Sequence, residues 1–258
     1  MSTDFVVVIP ARYASTRLPG KPLKDIGGRT MIERVFRQAS LSGAAEVLVA
    51  TDDERIAAEC RRFGARCEMT SAAHASGTDR IAEVAQRLGW PDDRIVVNVQ
   101  GDEPFLPPAL VTQTAELLGA RPEADIATLM TPIRDATELA DPNAAKVVLD
   151  REGFALYFSR APIPHTADGD HRGAWRHIGL YGYRAAALGR LAAEPPCAIE
   201  RAERLEQLRA LWLGMRIVVG EARELPPRHV DTEEDLMHAR RYAAQLEADG
   251  GGGRGPVE

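Results

Sequence analysis

Five strand-like runs, Phe5 to Ile9, Glu46 to Ala50, Arg66 to Met69, Arg94 to Val99 and Asp125 to Met130, alternate with stretches of helical periodicity in the first half of the chain. This alternation is the strongest constraint on the fold. A repeating strand–helix–strand unit joins strands that run parallel and leaves helices to cover both faces of the sheet. The covering stripes are visible in the sequence. Met31, Val35, Phe36 and Ala39 share one helical face, as do Ile56, Cys60 and Phe63, and then Ile81, Val84, Ala85 and Leu88. Thr30 with Glu33, and Thr51 with Glu54, have capping-box spacing, and Gly43, Gly64 and Gly89 supply matching stops. The predicted class is α/β, a layered fold with a mostly parallel central sheet and ligand loops at the carboxyl ends of its strands.

The rhythm changes after about residue 145. Ala145 to Asp150 and Phe154 to Ser159 read as neighbouring strands joined by a glycine-containing turn, a small antiparallel insertion, and His177 to Arg184 adds a further strand. Ala198 to Trp212 reads as one amphipathic helix through Ile199, Ala202, Leu205, Leu208 and Leu211, after which Met215 to Gly220 returns to the sheet. A last helix begins near Thr232, with Leu236, Ala239, Tyr242 and Leu246 on one face. The expected organisation is one domain over residues 1–248, with a sugar-binding and dimerisation insertion at about 145–212, and a flexible tail at 249–258. That tail contains G-x-G-x-x-G at Gly250, Gly252 and Gly255, but no strand precedes it and no helix follows, so it reads as compositional chance.

Composition removes several classes of function. With 45% hydrophobic and 27% charged residues the chain has the balance of a globular protein, and no apolar run approaches the roughly 20 residues that cross a bilayer. Met1 to Asp4 carries no basic region or cleavage site, so a cytosolic enzyme is expected. A net charge of -6 argues against broad nucleic-acid binding, while leaving room for local basic sites on phosphates. Cys60, Cys67 and Cys197 have neither disulfide-framework nor zinc spacing, and His74, His165, His171 and His238 show no metal-ligand pattern. Neither G-x-S-x-G nor H-E-x-x-H occurs, so hydrolysis by those routes lacks its starting residues.

The candidate chemistry begins directly after the first strand. Pro10 to Pro22 holds Arg12, Arg17 and Lys21 among small residues, where backbone N–H groups and three cations suit a triphosphate. It is not a Walker loop, and a solvated basic loop is the competing account. Past the fourth strand, Gly101 allows an unusual backbone before the carboxylate pair Asp102 and Glu103, and Asp102 is the natural first ligand for Mg²⁺. Asp231 is a second carboxylate, although Asp231 or Thr232 would serve equally to cap the last helix. Two carboxylates ~4 Å apart repel by ~4 kcal/mol at an effective dielectric near 20, so a shared site requires a cation. Ser76 to Arg80 opens a helix whose first-turn N–H groups suit a ligand oxygen or a base edge, with ordinary capping by Ser76 or Thr78 as the alternative. Arg160, His177, Tyr181, Glu206 and Gln207 are scattered polar residues in apolar segments, and spacing alone does not join them into a site.

These motifs together resemble the 3-deoxy-manno-octulosonate (Kdo) cytidylyltransferases. The resemblance runs from Ile9 to Pro22 through Ala50-Thr51-Asp52, Ser76 to Arg80, Val97 to Pro104, Pro142-Asn143-Ala144, Leu156 to Ala161, His177 to Arg184, Leu205 to Arg209 and Val230-Asp231-Thr232. The stretch from Pro164 to Ala174 and the glycine-rich tail depart from it. The resemblance implies a nucleotidyltransferase-type α/β fold, a homodimer, Mg²⁺ as cofactor, and conversion of CTP and Kdo to CMP-Kdo and pyrophosphate for lipopolysaccharide synthesis. It further implies that Ala11 lines the nucleotide site, that Arg12, Arg17 and Lys21 contact the triphosphate, that Ser76, Arg80 and Gln100 hold the cytidine, and that Asp102 and Asp231 bind Mg²⁺. Lys21, Arg17 and Asp102 would act in catalysis, while Arg160, His177, Tyr181, Glu206 and Gln207 would form the sugar side, with the planar fork of Arg160 suited to the Kdo carboxylate. The other readings are transfer to amino-Kdo or a sialic acid, a non-catalytic nucleotide-binding regulator, and a glycosyltransferase using a nucleotide-sugar donor.

Overall fold

A computed structural model describes residues 3–15, 17–165 and 171–248, so the tail expected at 249–258 lies outside the described residues. In chain order the first elements are β1 (Phe5–Ala11), β2 (Asp25–Ile26), β3 (Arg29–Thr30), α1 (Met31–Ser40), β4 (Glu46–Thr51), α2 (Glu54–Phe63) and β5 (Arg66–Met69). There follow α3 (Gly77–Arg87), β6 (Ile95–Asn98), α4 (Pro108–Gly119), β7 (Ile126–Pro132), α5 (Ala136–Ala140), β8 (Lys146–Leu149), β9 (Ala155–Ser159) and β10 (Trp175–Arg184). The last are α6 (Ala185–Ala193), α7 (Ala198–Glu203), α8 (Gln207–Trp212), β11 (Ile217–Glu221) and α9 (Glu233–Ala248).

The main sheet runs β11-β7-β10-β6-β1-β4-β5, with parallel pairing at β6–β1–β4–β5 and at β11–β7. β1 shows why its residues are almost uniformly apolar. Phe5, Val7 and Ile9 face the core beneath α1, α2 and α4, whereas Val6 and Val8 face the core beneath α3, α6 and α8. Burying both faces of one strand demands apolar residues at every position.

The second half is arranged differently from its sequence pattern. β10 lies in the body of the sheet, antiparallel to both β6 and β7, and the hairpin of β8 and β9 pairs with its first residues, Trp175 and Arg176. The helix expected over Ala198 to Trp212 is two short helices, because Arg204 adopts a left-handed backbone, φ 54°, at the end of α7. Periodicity does not reveal this break, since Ile199 before it and Leu205 and Leu208 after it pack in the same core.

Helix capping corrects the expected starts in the same way. Asp53, not Thr51, caps α2, its Oδ1 accepting from Arg55 N at 2.9 Å, because Thr51 is still paired in β4. At α1, Thr30 Oγ1 accepts from Glu33 N at 3.4 Å, but the Glu33 carboxylate turns to Arg37 and Arg62 and leaves the box incomplete. A full box stands at α3, between Ser76 and Asp79.

Candidate active site

The carboxyl ends of β1, β4 and β6 converge at one edge of the sheet, and the first-strand loop rises there. Gly20, at φ 67°, turns that loop into a single 3-10 turn, Lys21–Leu23, which aims Lys21 across the sheet edge. Its ammonium donates to Asp102 Oδ2 at 2.7 Å and to Asp231 Oδ1 at 3.0 Å. Arg17 Nη1 lies 3.0 Å from Asp231 Oδ2, and His229 Nε2 lies 3.3 Å from the same oxygen. Four of the residues picked out by sequence, Arg17, Lys21, Asp102 and Asp231, are thus one cluster drawn from three distant segments.

Backbone geometry makes the convergence possible. Gly101 is not in the left-handed region; its value is space, since a Cβ there would meet the carbonyl oxygen of Pro10 at 3.0 Å. Val230 N donates to Asp102 O at 2.9 Å and ties the two acidic loops together. The cap of α9 is Thr232, whose Oγ1 accepts from Asp235 N at 3.1 Å while Asp235 Oδ2 accepts from Thr232 N at 2.9 Å. That assignment leaves the Asp231 carboxylate for the cluster.

The electrostatics follow from this packing. The His229 hydrogen bond, and then Lys21, hold the Asp231 carboxyl well below the usual carboxylate range against the opposing effect of burial. Burial alone would lower the Lys21 ammonium, but Asp102 and Asp231 outweigh it and raise it. His229 is raised, chiefly by its hydrogen bond to Asp231. Glu103 is buried beside Asp102 and is pushed up to about 8 by burial and by that neighbouring charge. Its Oε2 is enclosed without a hydrogen-bond partner. Sequence reasoning passed over His229, and its only local signal is its position two residues before Asp231.

Asp102 and Asp231 reach the same ammonium, so their oxygens converge on a point that already holds a positive charge. Such a pair fits Mg²⁺, which takes one or two protein carboxylates and completes its shell with water and phosphate oxygens. Among the described residues no group of three or more His, Cys, Asp and Glu forms a richer metal site.

The remaining predicted residues divide between two walls. Ala11 ends β1, buried opposite Thr51 of β4. Arg12 Nη1 donates to Ala75 O at 3.1 Å, joining the basic loop to the segment that leads into α3. Tyr13, in the same loop, has the Arg55 guanidinium stacked 3.3 Å from its ring centroid. Gln100 is half-buried in the turn after β6. Arg80 is fully enclosed, 0% exposed, donating to Thr70 Oγ1 and lying 3.3 Å from Asp52, with its Nε unpartnered.

Ser76 connects the walls, donating from Oγ to Glu206 Oε1 at 3.3 Å. Burial raises the Glu206 carboxyl, against the pull of Thr78 and Arg209. On β10, a bulge between Ile178 and Tyr181 interrupts pairing with β7. His177 Nε2 pairs with Thr128 Oγ1 at 2.9 Å, and its ring packs 5.0 Å from Phe158 and 5.3 Å from Tyr181. Burial lowers His177 to about 3, so the ring is neutral, and burial likewise raises the Tyr181 phenol. Gln207 is 7% exposed with Nε2 unpartnered. Arg160 lies at the end of β9 and donates to backbone carbonyls that include Glu203 O at 2.8 Å. A cavity of about 1070 Å³ opens beside Ser76, Glu206 and Arg209, and neither Lys21 nor Asp102 lines it.

Comparison with known proteins places this geometry. The chain matches the Cytidylyltransferase family over residues 6–217. It is 52% identical over 251 residues to a 3-deoxy-manno-octulosonate cytidylyltransferase of Idiomarina loihiensis, covering 93% of this chain and 98% of that protein. It is 53% identical over 250 residues to the like-named protein of Pseudomonas fluorescens, with the same coverage. Among solved structures, a CMP:2-keto-3-deoxy-manno-octonic acid synthetase complexed with CTP superposes with a TM-score of 0.88 at 41% identity, covering 94% of this chain and 99% of that one. A 4-diphosphocytidyl-2C-methyl-D-erythritol synthase, at 14% identity and a TM-score of 0.63 over 93% of this chain and 98% of that one, shares the fold.

Proposed function

The chain belongs to the 3-deoxy-manno-octulosonate cytidylyltransferase family, and we propose that it transfers CMP from CTP to the anomeric hydroxyl of Kdo, releasing pyrophosphate. The CMP-Kdo formed serves lipopolysaccharide synthesis. The single observation that carries the reading is the contact of Lys21 with both Asp102 and Asp231 beneath the basic loop. A carboxylate pair that shares a cation next to Arg17 is suited to a nucleoside triphosphate and a divalent ion together.

The attacking group is the sugar's anomeric oxygen. Its bond to the α-phosphorus forms as the bond from that phosphorus to the pyrophosphate oxygen breaks, in line and without a covalent enzyme intermediate, and the hydroxyl proton is released to solvent. Asp102 and Asp231 would hold Mg²⁺, which when bound supplies Lewis-acid charge to the phosphate oxygens. Lys21, Arg17 and Arg12 offset the remaining charge, and Lys21 is placed to follow the phosphates because its other partners are the carboxylates. Ser76 and Gln100 hold the cytidine, while Arg160, neutral His177, Tyr181, Glu206 and Gln207 orient the sugar, so that two anionic substrates are brought together in one geometry.

A homodimer and a cytosolic place of action belong to the same proposal. Among the described residues no helix is long and apolar enough to cross a membrane.

Mg²⁺-dependent pyrophosphate release is the test, with CTP, UTP, ATP and GTP each offered Kdo, amino-Kdo, a sialic acid or no sugar. Release with CTP and Kdo is expected. Release only with another acid sugar would move the acceptor, and silence with every sugar would remove the enzymatic reading.

A further inference from the structure

Arg160 and Glu203 clamp one another. The Glu203 carboxylate accepts from Ser159 Oγ at 2.6 Å and from the Arg160 backbone N–H at 2.9 Å, so each of its oxygens has a donor at the end of β9. In return the Arg160 guanidinium donates through Nε to Glu203 O at 2.8 Å, through Nη1 to Pro142 O at 2.8 Å and through Nη2 to Arg204 O at 3.4 Å. Behind this pair, Lys146 is wholly buried and donates from Nζ to Arg160 O at 2.7 Å and to Asp141 O at 2.9 Å.

The clamp closes on the break between α7 and α8. Arg204, with φ 54°, is the one non-glycine residue of positive φ among the described residues, in a conformation disfavoured for a side chain carrying a Cβ. The two carbonyls that flank it, those of Glu203 and Arg204, are both taken by Arg160. The turn they hold leads directly into Glu206 and Gln207. A guanidinium has five N–H groups and three are engaged here, which leaves one on each terminal nitrogen for a ligand carboxylate.

We propose that Glu203 is a positioning residue for the sugar: by binding Ser159 and the Arg160 backbone it fixes both the Arg160 fork and the left-handed turn that delivers Glu206 and Gln207. The inference rests on the sugar-side assignment proposed above. Glu203 does not touch the sugar, and its effect reaches the reaction only through those neighbours. Removing its carboxylate breaks the links to Ser159 Oγ and the Arg160 N–H and leaves only the Arg160 side chain to join the β9 and α7 ends, while the triphosphate cluster around Lys21 keeps all of its own contacts.

Steady-state pyrophosphate release from Glu203→Ala, Glu203→Gln, Ser159→Ala and Arg160→Ala tests this, with thermal melting to verify folding. Glu203→Ala is expected to raise KM for Kdo by about tenfold or more and to leave KM for CTP within about twofold. Glu203→Gln retains an acceptor for Arg160 N and a partner for Ser159, so it should recover most of the loss. Ser159→Ala should fall between them and carries the test if Glu203→Ala does not fold. A merely structural role would lower the melting temperature or shift both Michaelis constants together, and either result without a Kdo-selective change overturns the proposal. If Arg160→Ala leaves KM for Kdo unchanged, the sugar-side assignment fails and the inference falls with it. If Arg160→Ala raises KM while folded Glu203→Ala and Ser159→Ala do not, only the positioning role is refuted.

Discussion

The ammonium of Lys21 stands 2.7 Å from Asp102 Oδ2, joining residues 81 positions apart in the chain. With Asp231 completing the contact at 3.0 Å, the lysine occupies the convergence point that would also attract a divalent cation. Entry of a metal would therefore compete with Lys21, and nucleotide phosphates would offer the displaced ammonium a new partner.

Replacing Lys21 by Gln separates these two effects. Mn²⁺ binding without nucleotide, followed by electron paramagnetic resonance, should tighten because a positive charge has left the carboxylates. CMP transfer should fall by about 10²–10³-fold, since a preorganised cation on the transferring group has been lost. Unchanged or weaker Mn²⁺ binding in the folded variant would count against the competition.

Asp102→Asn should reduce turnover by about two orders of magnitude or more at saturating Mg²⁺, because it removes a metal-directed charge. Its side chain is not part of the apolar core, so the melting temperature should stay close to that of the parent. Near-normal turnover at saturating Mg²⁺ would take Asp102 out of the mechanism.

The His229–Asp231 pair makes stability depend on pH in the metal-free protein. The folded pKa of His229 is raised above 6.5. Its contribution is therefore fully present below the unfolded value and is lost as pH rises through the folded one. Asp231 is depressed, so its contribution is present above about pH 4 and is lost as pH falls towards its folded value. Melting curves should show His229→Ala destabilised relative to the parent at pH 6, with the difference closing as pH rises towards 9. A difference that widens with pH would contradict the pairing.

Gly101→Ala tests the close approach of the two loops. The new Cβ would press on Pro10 O at 3.0 Å, in backbone that does not yield as a flexible side chain does. A destabilisation of about 1–3 kcal/mol is expected, with a loss of CMP transfer as Asp102 shifts away from Lys21. A fully active variant of parental stability would show that the loop has slack.

His177 provides a check through its silence. Burial lowers it to about 3, so no titration of this ring should shape the rate profile between about pH 5.5 and 8. His177→Gln should weaken Kdo use while leaving the form of that profile unchanged. Loss of an inflection near pH 6.5 in the variant would mean that the ring does ionise.

Much of this was legible before any coordinates. β1 reads as a buried parallel strand because every one of its residues must be apolar when both faces are covered, and α1, α2 and α3 carry their stripes at helical spacing. The basic loop and Asp102 stood out by composition and by their place after strands. The cap at Asp53 is missed because Thr51 has Glu54 at capping-box spacing, and only the length of β4, which still pairs Thr51, rules that start out. The ambiguity between Asp231 and Thr232 is removed by the hydrogen bonds of Asp235.

The amino-acid sequence alone determined the α/β class, the order of most elements and, through resemblance, the family, because burial periodicity and contiguous motifs are local properties of the chain. Tertiary structure decided what depends on residues far apart: the place of β10 between β6 and β7, the left-handed break at Arg204, and the meeting of Lys21 with Asp102 and Asp231. Those outcomes are set by which backbone carbonyls and charges approach one another across the fold, and no local pattern of side chains encodes that distance.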